Sequence, residues 1–142
     1  MFRLLRRRPV APVVLDPADP RLIVRVEAFE AARADSAVLA EAAERGVDLS
    51  RSLLVRHHLI GLGDPTARSR AADLLAQDGY ALQDGPADGP AGRVLATRTQ
   101  RLTALSASQE RSRMAGLAQR LGGDVLGWDA LGIPDPDLSH PV

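Results

Sequence analysis

From Ser50 onward, glycine and proline cut the chain into six segments whose apolar residues alternate between strand-like and helix-like spacing. Leu53 to Leu62 is β-like and is closed by Gly61 and Gly63. Asp64-Pro65 then opens a helix with Ala67, Ala71, Leu74 and Leu75 on one side. Gly79 ends that helix, and Tyr80 falls where the residue after a left-handed cap packs back, here onto Leu75. A short strand follows over Tyr80–Gln83, and the segment Asp84 to Pro90 can only be a loop. Gly92 to Leu102 reads as a strand. Ser106 with Gln109 makes a capping-box pattern before the stripe Glu110, Met114, Leu117 and Leu121. Gly122-Gly123 stops this second helix, and Asp124 to Leu131 is a last strand.

The order β-α-β-β-α-β leaves few solutions. Each helix has one apolar stripe to bury, and both must bury it on one face of a four-stranded antiparallel sheet. The expected fold is therefore α+β, a ferredoxin-like sandwich, with Leu53, Val55, Leu59, Leu74, Leu95, Met114, Leu117 and Leu121 buried together. Ahead of it stands a helical leader. Asp19-Pro20 resembles an N-cap and first helical position, with Leu22, Ile23, Val26 and Phe29 recurring at helical spacing. A second helical stretch runs from Ser36 to Arg45 and stops at Gly46. This reading divides the chain into a basic helical leader (1–35), the sandwich (36–134) and a Pro/Asp-rich flexible tail (135–142).

Composition excludes several chemistries. The chain has no cysteine, which removes disulfides, thiolate zinc sites and cysteine nucleophiles. All 18 basic residues are arginine, so lysine Schiff bases are also absent. The formal net charge is zero, which argues against a dedicated nucleic-acid binder, although Arg3, Arg6, Arg7 and Arg8 cluster at the start. No secretory profile and no apolar run near the 20 residues of a membrane span is visible, and a cytoplasmic protein is expected.

The candidate reactive groups are few. His57 and His58 are adjacent, but successive strand side chains point to opposite sheet faces and cannot grip one ion. No metal and no other cofactor is expected. His57 shares its face with Leu53, Val55 and Leu59 and reads as a core histidine satisfied by a hydrogen bond. His58 shares the other face with Arg56 and is the better candidate for a surface role. None of the serines sits in a nucleophile-elbow setting, and Gly61-Leu62-Gly63 lacks the third glycine of a dinucleotide loop. The strand Gly92–Arg98 has no aromatic, so base stacking of the kind used by RNA-recognition sheets would fall to Trp128 alone.

Arg56-His57-His58-Leu59, the helix closing on Asp78-Gly79-Tyr80, and Gly122-Gly123-Asp124-Val125-Leu126-Gly127-Trp128-Asp129 occur in that order. Together they resemble the ribonuclease E inhibitor family, also called regulator of ribonuclease activity B, over about Ser36 to Pro134. Val125-Leu126 departs from the Tyr-Asp that the family often carries before Gly-Trp. The resemblance implies a non-enzymatic protein that binds a ribonuclease E-type endoribonuclease and lowers its activity. It implies structural roles for His57, Gly79, Tyr80, Gly123 and Gly127. Arg56, His58, Trp128 and Asp129 are the expected contacts with a protein partner, with core packing as the competing role for Trp128. The other reading is a small-ligand or RNA-binding module that uses the sheet face left open by the helices.

Overall fold

The computed structural model describes residues 14–86, 89 and 92–134. The arginine cluster at the start, the tail 135–142 and part of the Asp84–Pro90 loop lie outside the described residues. The architecture is α+β, a five-stranded antiparallel sheet with three helices. In chain order the elements are β1 (Ile23–Ala28), α1 (Asp35–Glu44), β2 (Leu53–Ile60) and α2 (Pro65–Ala76), then β3 (Ala81–Asp84), β4 (Val94–Gln100), α3 (Ala104–Arg120) and β5 (Asp124–Gly132). The strands lie side by side in the order β1-β5-β2-β4-β3.

Local chemistry explains most of these boundaries. The Asp64 carboxylate accepts the Thr66 amide at the start of α2, and Pro65 occupies the first turn, where its missing donor costs nothing. At the other end Gly79 has a φ of +81°, and the Tyr80 amide reaches back to the Leu75 carbonyl at 3.0 Å. The N-cap of helix α3 lies three residues before the expected one. Thr103 is the N-cap and Ser106 its reciprocal partner, each hydroxyl accepting the other's backbone N–H at 3.0 Å.

The expected leader helix over residues 22–29 is instead strand β1. Asp19 opens a tight turn, its carboxylate accepting the Arg21 amide at 2.9 Å. Ile23, Val24 and Val26 then supply the β-branched side chains that favour extended backbone. Leu22, Val26 and Phe29 satisfy helical spacing, but the free edge of β5 decides the outcome: β1 pairs with it from Ile23↔Gly132 to Ala28↔Trp128. The second expected leader helix does form, as α1, and Gly46 follows it at a φ of +93°.

All three helices cover one sheet face, and the buried side chains form two clusters there. Val38, Leu39 and Ala42 of α1 meet Val26, Ala28, Val55, Trp128 and Ala130 in the first. Ala71 and Leu75 of α2 and Met114 and Leu117 of α3 meet Leu59, Val94 and Ala96 in the second, with Leu74 and Leu121 at its margin. Leu95 does not join them, contrary to expectation. It pairs directly with His58 and so points to the opposite face.

Candidate functional site

Strand register decides where each candidate residue points. On β2, Val55, His57 and Leu59 face the helices, and Leu54, Arg56 and His58 face away. The β2–β5 ladder pairs His57 with Trp128 and Arg56 with Asp129, so Trp128 joins the helix face and Asp129 the other. The four expected partner contacts are thus split across the sheet.

Trp128 is 1% exposed and packs in the first apolar cluster, which corrects its expected role as a surface contact. Its indole N–H donates to Asp35 Oδ1 at 3.2 Å. Arg111 of α3 closes on the same carboxylate through Nε and Nη2, at 3.0 and 2.5 Å. This Trp–Asp–Arg link ties β5, α1 and α3 together, and the sequence reading missed it. A shallow cleft of about 400 Å³ lies above the link, between the start of α1 and α3. Both guanidiniums that line it are already committed, Arg111 to Asp35 and Arg33 to Glu41.

His57 is also 1% exposed, and its ring meets Tyr80 edge-on at 5.8 Å between centroids. Neither ring nitrogen has a hydrogen-bond partner, which corrects the expected satisfied histidine. Tyr80 spends its hydroxyl on Glu110 Oε1 at 2.7 Å, and Arg98 lies over the tyrosine ring while pairing with the same carboxylate. Burial and the Glu110 bond both push the Tyr80 hydroxyl up.

Burial pushes the pKa of His57 down to about 4 from 6.5, with Glu110 opposing and Arg98, Arg111 and His58 adding to the fall. The unfolded chain takes up a proton below pH 6.5 that the native ring refuses until about pH 4. Stability should therefore drop by about 3 kcal/mol as pH falls across that window, relative to a variant that cannot titrate there. Urea unfolding of the wild type and His57→Leu at pH 7 and 4.5 measures the difference. Parallel losses in the two proteins would show that His57 is not buried neutral.

On the far face Asp129 organises a second polar group. Arg56 donates to it through Nε at 2.8 Å and Nη2 at 2.5 Å, and His58 Nε2 lies 3.1 Å from Oδ1. Burial raises the Asp129 pKa, but the Arg56 and His58 bonds outweigh it and hold the carboxyl below the usual carboxylate range. Arg93 Nη2 lies 2.6 Å from His58 Nδ1. A guanidinium can only donate, so Nδ1 is the accepting nitrogen of this pair. Phe29 covers the imidazole edge-on at 4.9 Å.

Of the two possibilities for this face, open or covered, the structure shows it covered. Leu54, Leu95, Thr97 and Leu131 are buried, and His58 and Asp129 are each 4% exposed. Among the four expected contacts only Arg56 retains partial exposure. A module stacking bases or ligands on an exposed sheet loses its platform here, and its one tryptophan faces the helices. Among the described residues no group of three or more acidic or histidine side chains is placed to hold a metal ion.

The glycines of the family motif hold backbone together. A Cβ at Gly123 would meet the Ile60 carbonyl oxygen at 2.4 Å, and one at Gly127 would meet that of Ala28 at 2.4 Å. Gly127 also sits at a φ of +149°, beside an irregularity in the β2–β5 ladder.

No helix among the described residues is long and apolar enough to cross a membrane. Neither a curated protein nor a solved structure matches the chain. A family model described as regulator of ribonuclease activity B matches residues 32–130, which takes in α1, all of β2 to β4, α3 and most of β5. The chain belongs to the regulator of ribonuclease activity B family.

Proposed function

We propose that this chain is a non-enzymatic cytoplasmic protein that binds a ribonuclease E-type endoribonuclease and lowers its activity. Membership of a family of ribonuclease regulators is the observation that carries this reading. The way the polar residues are spent supports it. Asp129, Arg56, His58 and Arg93 are occupied with one another, as are Asp35, Arg111 and Trp128. His57 is enclosed against Tyr80. Such groups stiffen a scaffold, whereas general acid–base or nucleophilic catalysis needs them within reach of substrate. We read β2 to β5 with α2 and α3 as a ferredoxin-like unit, because those strands lie in the order β5-β2-β4-β3. Residues 36–134 are then the regulatory domain, and the preceding leader lends it β1 as a fifth strand.

The test is complex formation. The purified chain and the ribonuclease E-type enzyme of the same organism are mixed and separated by size-exclusion chromatography. Co-elution at a fixed stoichiometry is expected. Two unshifted peaks at micromolar concentrations of both proteins would sink the proposal.

A further inference from the structure

We propose that residues 14–22 are a gating strap. They close one end of the sheet face that has no helices, and they open while the sheet stays folded, baring the apolar row of Leu54 and Leu131. The inference goes beyond the regulatory reading and does not depend on it.

Register fixes the path of this segment. Thr99 of β4, Leu54 of β2, Leu131 of β5 and Val24 of β1 lie side by side in one row across the sheet. Leu54 faces away from the helices, and residues directly opposite one another share a face. At one end of the row the Leu15 amide donates to Thr99 Oγ1 at 2.9 Å. The chain is next fixed at the other end, where Ile23 pairs with Gly132. Between these points it must cross three strand spacings, about 14 Å, and pass both β2 and β5. All three helices lie on the other face, yet Leu54 is 2% and Leu131 8% exposed. Leu15 and Leu22, the two leucines of the crossing segment, are half-buried.

The strap is rigid within and sparsely attached. Its two turns share Asp19, whose amide donates to the Asp16 carbonyl at 2.9 Å and whose carbonyl accepts the Leu22 amide at 3.2 Å. Pro17 and Pro20 stand second in these turns, where their fixed φ suits the chain. The carboxylates of Asp16 and Asp19 accept the amides two residues on, each at 2.9 Å. Among the described residues, the bond from Leu15 to Thr99 is the one hydrogen bond that joins the strap to another element. Its ion pair, Asp19 with Arg21, is internal. Neither of its leucines belongs to a buried core cluster. A segment held by so few buried contacts opens at a fraction of the global unfolding free energy. The strap also lies outside residues 32–130, the range that matches the family. The row it closes adjoins the paired Arg56 and Asp129 on the same face. Access to that face is thus set by a segment outside the matched range.

Native-state amide exchange on the full chain tests the opening. The Leu15 amide should exchange with little dependence on urea, whereas exchange in the middle of β2 should accelerate steeply with it. Thr99→Val keeps the shape of the side chain and removes the acceptor. It should speed Leu15 exchange about two- to tenfold, the worth of one hydrogen bond, with a smaller change in β2. The chain has no cysteine, so single thiols can report on the row beneath. The thiol of Leu54→Cys should be labelled about tenfold faster, or more, than that of Val55→Cys, which faces the helices. Leu131→Cys and Ala130→Cys give the same comparison should Leu54→Cys not fold. Leu15 exchange that follows the urea dependence of β2 would overturn the separate opening. Equal labelling of the two faces would show that the row stays covered when the strap moves, and would overturn the gate.

Discussion

Replacing Trp128 with alanine should destabilise the protein by about 3–5 kcal/mol, the range for truncating a large buried aromatic. The indole is 1% exposed and sits where β1, β5 and α1 converge, so little can relax into the space it leaves. The loss has a second source. Asp35 would surrender one of its donors, and its contact with Arg111 would open toward the vacated volume. Trp128→Phe separates the two contributions. It keeps an aromatic ring but not the N–H, and should cost less, by an amount that includes about 1–2 kcal/mol for the lost bond to a carboxylate. Denaturant unfolding of both variants measures this. A loss below about 1 kcal/mol in Trp128→Ala, near the scatter of surface substitutions, would return Trp128 to the surface.

The second large effect is expected at Asp129. Alanine there strands Arg56 and His58, and removing one partner of a buried ion pair costs about 3–5 kcal/mol. Arg56 keeps some access to water, which places the expected value toward the lower end. Acid should act in the same direction. Because the folded-state pKa is depressed, the carboxylate's contribution is present above the unfolded value of 3.8 and is lost as pH falls through the lower folded value. The same network supports Phe29 through His58, so Asp129→Asn should also loosen that ring. Amide hydrogen exchange at residues 28–30 reports it, with faster exchange than wild type expected at pH 7. Unchanged exchange together with unchanged stability would show the network to be incidental.

Much of this architecture was legible in the sequence because its punctuation is chemical. Gly79 and Gly122 take left-handed conformations that other residues resist, and Asp64-Pro65 can begin a helix but not continue one. The alternation along Leu53–Ile60 correctly divided His57 from His58. What failed was whatever depended on distant pairing. Leu22, Val26 and Phe29 fit the spacing of a helix, and the available edge of β5 nevertheless selects a strand, which puts Val26 and Phe29 on opposite faces. Leu95 lay in an apolar run without alternation, so its face was fixed by register with His58 and not by pattern.

The site was legible in part for the same reason. The motif residues Arg56, His58 and Asp129 do meet, at hydrogen-bond distances, because β2 and β5 are neighbours. That they meet below the surface could not be read from residue type. Arg93 and Phe29, which both contact His58 there, lie 35 residues after it and 29 residues before it. Asp35 gave no signal of its role either. It looked like a helix boundary, and its partners Arg111 and Trp128 are 76 and 93 residues away.

The most direct measurement of the central claim is the rate at which a purified ribonuclease E-type enzyme cleaves an RNA substrate as this chain is added. The account predicts a saturable fall in rate that tracks formation of the complex, with no cleavage by the chain alone. A rate that stays constant while the two proteins are shown to be bound, or while the chain is in large excess, would contradict it.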